Sequence, residues 1–133
     1  MEANEIIEQL NKFQVRLFRR EDGLVVPADP VTLAENLLLI RGLLIQLVDK
    51  VAEAELDYRK SKASRYDTLI KTVTDGKPMS KSAASDALDY EPDLIEKKIA
   101  TERLRNYMKY TDGLCTSIQS VLRVQSGAEK SQY

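Results

Sequence analysis

Apolar residues recur at steps of three and four over most of the chain, which is the spacing of one helix face. Ile6, Leu10, Phe13 and Leu17 follow this rule near the N-terminus. Pro30, after a capping Asp29, is a strong start signal for a second helix. Glycines and prolines are sparse after it, so the helices are long. The predicted helices are 4–20, 30–75, 80–88 and 92–126.

The connection between the two longest helices is short compared with either of them, which favours an antiparallel arrangement. We therefore expect an all-α fold in a single domain over 1–133. It would consist of an N-terminal helix and a long antiparallel helical hairpin with a short helix at its tip. The segment 24–28, between two helices, is expected to be an extended linker.

The segment 33–51 is apolar almost all round, whereas the rest of the second helix has a single apolar seam. A helix that is apolar on all sides needs several packing partners. The pattern predicts an apolar base, a thinner polar arm and burial of the base between copies in a homo-oligomer. The residues expected at this oligomer interface are Leu37, Leu38, Ile40, Leu44, Leu47 and Val48.

The composition removes most catalytic chemistry. The 133 residues include no histidine and one cysteine, Cys115, which lies in an apolar seam and is expected to be a buried structural thiol. The acidic cluster of Asp86, Asp89, Glu91 and Asp93 has no calcium-loop spacing and is expected to be solvated. We predict no enzyme activity, no catalytic residues, no metal and no cofactor. With no membrane span expected, the predicted location is the cytoplasm.

The formal net charge of −1 hides a division along the chain. Residues 56–109 hold 12 Lys+Arg against 9 Asp+Glu, a net charge of +3 that leaves −4 for the rest. Basic rows interleaved with tyrosines can follow a phosphate backbone and stack on bases. A solvated, salt-bridged helix surface is the alternative explanation. The candidate nucleic-acid-binding residues are Arg59, Lys60, Lys62, Arg65, Lys98, Arg105 and Lys109.

The segments 54–58 (Ala-Glu-Leu-Asp-Tyr) and 110–120 (beginning Tyr-Thr-Asp-Gly-Leu-Cys) lie in a pattern over 45–125 that resembles the UvsY-type phage recombination mediators. The resemblance implies a ring-forming helical protein that binds single-stranded DNA. Such proteins load a RecA-like recombinase onto strands covered by single-strand-binding protein. That family has Lys-Ala-Arg where this chain has Glu-Ala-Glu at 53–55, so DNA contact would fall to Arg59, Lys60, Lys62 and Arg65.

Two functions of different classes follow from the sequence. The first is a non-enzymatic, oligomeric helical protein that assists single-stranded DNA transactions in recombination or replication. Its partners would be itself, single-stranded DNA, and a recombinase or single-strand-binding protein. The second is a phage-type adaptor or inhibitor of a host protein that makes no contact with nucleic acid. A purely structural assembly protein is a third interpretation.

Overall fold

A computed structural model describes residues 1–74 and 76–131 of the chain. The prediction of a mainly helical protein is confirmed, with 81% of the structure in helices. The helices are α1 (Ala3–Leu17), α2 (Pro30–Ile70), α3 (Lys81–Leu88) and α4 (Pro92–Ser131). Two short antiparallel ladders accompany them, β1 (Phe18–Glu21) with β2 (Leu24–Pro27), and β3 (Val73–Thr74) with β4 (Lys77–Pro78).

The first ladder corrects the sequence prediction, because α1 ends at Leu17 and not at residue 20. Residues 18–21 pair instead with 24–27, so the expected linker is a strand of a β-hairpin. Asp22 and Gly23 form its two-residue turn with φ of 52° and 78°. Two positive φ values are the hallmark of the type I′ turn, whose twist matches that of the flanking strands. Arg19 and Arg20 therefore lie on β1 and do not end a helix.

The other boundaries of the helices follow from caps and turns. Ser80 caps α3 by accepting a hydrogen bond from the Ala83 amide, whereas Glu2 precedes α1 without a capping hydrogen bond from its side chain. The second helix ends at Ile70, five residues before the end that the sequence predicted. The strands β3 and β4 follow it at residues 73–74 and 77–78. Position 75 itself lies outside the described residues.

The last helix runs past Gly127 to Ser131, beyond the predicted end at 126. A glycine inside a helix costs only about 1 kcal/mol relative to alanine, and alanine, glutamate and lysine follow it here. Gly127, which follows the predicted end at 126, therefore does not stop the helix. The last two positions, 132 and 133, lie outside the described residues.

The N-terminus of α2 has the cap that the sequence predicted. The Asp29 carboxylate accepts hydrogen bonds from the Thr32 amide at 2.9 Å and from the Thr32 hydroxyl at 2.7 Å. The hydrogen bond from the Thr32 amide lowers the pKa of Asp29 below its usual value, and the hydrogen bond from the Thr32 hydroxyl adds to this effect. Pro30 occupies the first helical position, where its missing N–H costs nothing.

This cap gives a pH-dependent prediction. Asp29→Ala should lower the midpoint of urea unfolding at neutral pH, because the Thr32 amide loses its acceptor. A depressed folded-state pKa stabilises the fold above the unfolded pKa, and this contribution is lost as pH falls through the folded pKa. The difference in midpoint between wild type and variant should therefore shrink in acid. A difference that stays constant from neutral pH to about pH 2.5 would contradict the assignment, since the model-peptide pKa of Asp is about 3.9.

The chain divides into two compact units, and each is described separately. The first unit comprises Met1–Asp49 and Asn106–Tyr133, and the second comprises Lys50–Arg105. In the first unit, α1, the start of α2 and the end of α4 supply the buried side chains. The most completely buried are Ile6, Leu10, Leu17, Leu33, Ile40, Leu47, Thr111 and Ile118.

This core corrects two of the predicted interface residues. Ile40 and Leu47 have no exposed surface within a single chain, so they belong to its own core and cannot cover a second copy. Leu37 and Leu44 are half-buried, while Leu38 and Val48 are exposed. Of the predicted interface, Leu38 is 74% exposed and Val48 is 46% exposed.

The second helix also has a composition that could cross a membrane. One 18-residue window of α2 has a mean hydropathy of 1.6, and 22% of that window is buried. A core helix of a globular protein meets the same criterion of length and composition. Here Leu33, Ile40 and Leu47 of that helix are part of a protein core.

Candidate nucleic-acid interface

The second unit contains six of the seven cations that the sequence marked for nucleic-acid binding; Lys109 belongs to the first unit. Buried apolar side chains are fewer here, and they come from all three of its helices. They are Val51, Ala84, Leu88 and Leu94. The Thr101 hydroxyl is buried too, and donates to the Lys97 carbonyl at 2.8 Å. Several contacts between α2 and α4 in this unit are ion pairs and hydrogen bonds.

Ion pairs connect α2 with α4 and with the residue just before it. Arg105 donates to the Glu55 carboxylate, and the Lys97 Nζ lies 3.1 Å from the Asp57 Oδ2. The Arg65 Nε donates to the Glu91 Oε1 at 2.9 Å. Residue numbers rise along α2 as their partners' numbers fall.

Two of the predicted DNA-binding arginines are therefore engaged with carboxylates. The hydrogen bond from Arg105 holds the pKa of Glu55 below its usual value, and the charges of Arg105 and Arg59 act in the same direction. Arg65 is similarly paired with Glu91. Because a phosphate would have to replace these carboxylates, we remove Arg65 and Arg105 from the primary set of candidate contacts. The family that this chain resembles has a basic residue at the position of Glu55. In this structure Glu55 accepts the hydrogen bond from Arg105.

Four of the five remaining cations lie in two different grooves, whereas Lys109 of the first unit lines neither of them. The first, which we call the Tyr58 groove, has a volume of about 530 Å³. It runs between α2 and α4 and continues into a smaller hollow that Arg59 also lines. The residues that line the groove and its extension include Tyr58, Arg59, Lys62, Ile95, Lys98, Ile99 and Glu102.

The second groove, which we call the Ser61 groove, has a volume of about 630 Å³ and is lined by Lys60. Hydroxyl groups and both partners of the Arg65–Glu91 pair account for much of its wall. The Lys97 Nζ donates to the Ser61 Oγ at 2.6 Å in addition to its pairing with Asp57. The polar groups of this groove are thus largely bonded to one another. Its lining residues include Lys60, Ser61, Ser64, Arg65, Thr68, Glu91, Asp93 and Lys97.

What distinguishes the Tyr58 groove is the pairing of its cations, since Asp89 and Glu102 also line it beside Lys62 and Lys98. Within the part of the chain that the structure describes, no ion pair involves Arg59, Lys62 or Lys98. The Lys62 Nζ lies 5.9 Å from the centre of the Tyr58 ring, within range of a cation–π contact. One side of the groove therefore presents an aromatic ring with a positive charge over it.

Apolar side chains of α4 line the opposite side of the same groove. Ile95 and Ile99 are one helical turn apart, and 42% and 46% of their respective side chains are exposed. Neither isoleucine was among the residues predicted from the sequence, although their i, i+4 spacing away from the apolar seam of α4 could have indicated them. Lys97 was not predicted either, because its partners Asp57 and Ser61 are 40 and 36 residues distant in sequence.

The single cysteine of the chain lies outside both grooves. Cys115 is buried in the first unit, and this burial raises the pKa of its thiol, which keeps it protonated and poorly nucleophilic. Burial also raises the pKa of Tyr110 in that unit. Over residues 1–74 and 76–131, no group of three or more His, Cys, Asp or Glu is placed to hold a metal ion.

Three carboxylates of the predicted acidic cluster have different surroundings in the structure. Glu91 pairs with Arg65, Asp89 lines the Tyr58 groove, and Asp93 lines the Ser61 groove.

Comparison of the chain with protein-family models, with curated proteins and with solved structures found no match in any of the three.

Proposed function

We propose that this chain is a non-enzymatic, oligomeric helical protein of the cytoplasm that assists single-stranded DNA transactions through its Tyr58 groove. The observation that carries the proposal is the placement of Lys62 on α2 and Lys98 on α4 along one groove, with the Tyr58 ring beside them. Phosphates would lie against the two ammonium groups, and a base would stack on the ring.

The proposed architecture behind the groove is an antiparallel helical hairpin with α3 at its tip. The order of the pairs Glu55–Arg105, Asp57–Lys97 and Arg65–Glu91 supports it, because antiparallel segments pair rising with falling numbers. The groove is then a consequence of the hairpin, since two neighbouring helices leave a furrow along each side of their contact. Single strands fit such a furrow more readily than a duplex, because their bases are free to stack on protein side chains.

Assembly of several copies would compensate for the small charge of one groove. Three cations on one chain bind a strand weakly, but linked copies engage the same strand at a high effective concentration. This corresponds to the role of a UvsY-type mediator, which the chain resembles. Such a mediator acts with a recombinase and a single-strand-binding protein.

One observation favours a second function, that of a protein-binding adaptor or inhibitor. Ile95 and Ile99 give the groove an exposed apolar wall that phosphates do not need. An acidic amphipathic helix could place its apolar stripe on these isoleucines and its carboxylates near Lys62 and Lys98. Under this alternative the partner is a host protein and nucleic acid is not bound.

The two functions separate in a fluorescence-anisotropy titration of a labelled single-stranded oligonucleotide with the wild-type protein. We expect saturable binding at low salt. Three phosphate contacts predict a salt dependence of log K with a slope of about −2, so affinity should fall about 100-fold between about 20 mM and about 200 mM salt. Undetectable binding at low salt would contradict the nucleic-acid function. Capture of a single host protein by the same preparation would then favour the adaptor.

A further inference from the structure

The first unit exposes an unpartnered apolar line along α2. Val31, Leu38 and Ile45 have 65%, 74% and 66% of their side chains exposed. They are seven residues apart, so they lie almost directly above one another on the helix, on the side opposite the buried Ile40 and Leu47. A seven-residue repeat of exposed apolar residues is the pattern by which one helix packs against another.

The residues around this line are arranged symmetrically about Leu38. Ala34 and Gly42, both small, lie four residues before and four residues after it. The charged side chains of Glu35 and Arg41 lie three residues before and three after it, and both are exposed. In a helix these offsets correspond to about 6 Å and about 4.5 Å along the axis on either side of Leu38.

We propose that a second copy of this chain covers this face, with the two α2 helices antiparallel and a two-fold axis at Leu38. In that arrangement the Glu35 of each copy lies at the level of its partner's Arg41. Val31 likewise meets Ile45, and Ala34 meets Gly42, so both ends of the contact are equivalent. The small residues leave room for the long charged side chains to cross the contact. A self-complementary surface of this kind is what an isologous dimer requires.

Charge also determines the direction of the pair. A parallel pair would bring the two Glu35 carboxylates to one level and the two Arg41 guanidinium groups to another, and both contacts repel. The antiparallel pair replaces both repulsions by attractions. This dimer surface differs from the oligomer interface predicted from the sequence and shares only Leu38 with it. The proposal does not depend on nucleic-acid binding.

The test is the mass of the full chain in solution, measured by light scattering and sedimentation equilibrium without nucleic acid. The wild type should reach twice 15.1 kDa at high concentration. Leu38→Lys should remain at the monomer mass. Leu39→Lys is the matched control, because Leu39 is also exposed but is turned about 100° away, and it should still dimerise. A wild type that stays monomeric, or two variants that behave alike, would overturn the proposal.

Charge reversal and cross-linking test the direction of the pair. Glu35→Arg should weaken the dimer at least tenfold, and the added Arg41→Glu should restore it, because the swapped pair is again complementary. In a Cys115→Ala background, Val31→Cys mixed with Ile45→Cys should form an intermolecular disulfide that neither variant forms alone. Cross-linking of Val31→Cys with itself would instead show a parallel pair and overturn the proposed axis.

Discussion

Ile40→Ala is expected to lower the free energy of unfolding by about 3 kcal/mol, since removing a buried isoleucine loses transfer free energy and leaves a cavity. Leu39→Ala, one residue earlier, should change it by no more than about 0.5 kcal/mol. The reason is their burial, because Ile40 has no exposed surface while 59% of Leu39 is exposed. Urea unfolding followed by circular dichroism at one fixed protein concentration measures both values.

This comparison decides between two uses of the same apolar segment. If Ile40 covered another copy, as its position in the leucine-rich run first indicated, its truncation would change association more than the stability of the monomer. We expect the opposite, with the loss unchanged when the protein is diluted. A loss at Ile40 that disappears on dilution, or an equal loss at Leu39, would contradict the core assignment.

The sequence predicted the helical character and several helix starts because these depend on local chemistry. Asp29 and Pro30 form a cap from neighbouring residues, and Ser80 caps α3 in the same way. The β-hairpin could also have been predicted, since Asp22-Gly23 is a strong turn signal and the apolar run 24–26 follows it. The predicted helix 4–20 instead included Arg19 and Arg20, which lie on β1.

Which side of α2 faces the core could not be predicted from the sequence. The buried residues Leu33, Ile40 and Leu47 repeat every seven positions along α2. The exposed residues Val31, Leu38 and Ile45 have the same repeat. Both sets are equally apolar, so hydrophobic periodicity gives them the same score. Only the positions of α1 and α4 distinguish the two faces, and those depend on contacts between residues distant in sequence.

The same limit applies to the candidate site. Arg59, Lys62 and Arg65 form one row in the sequence, yet Arg65 meets Glu91, 26 residues away, while Lys62 lies over Tyr58. Steps of three residues offset each side chain by about 60°, so the three members of this row cover about 120° of the helix surface and face different residues of α4. Each cation's partner therefore depends on which residues of α4 lie opposite it.

The proposed function predicts that the Tyr58 groove, and not the overall positive charge, determines DNA affinity. The variant Arg59→Ala/Lys62→Ala/Lys98→Ala should lose binding to single strands at least tenfold, and its salt dependence should become shallower. None of these three side chains is buried, so the fold should be retained, as circular dichroism can verify. The effect is large because all three charges line one groove.

A matched variant removes the same charge from elsewhere in the second unit. Lys71→Ala/Lys77→Ala/Lys81→Ala also lowers the net charge by three, and these exposed residues do not line the Tyr58 groove. The most direct test of the account is the anisotropy titration of one labelled single-stranded oligonucleotide with both variants at the same low salt. The account predicts at least a tenfold loss of affinity for the groove variant and less than a threefold loss for the matched variant. Equal losses would contradict it, because binding would then follow net charge and not the groove.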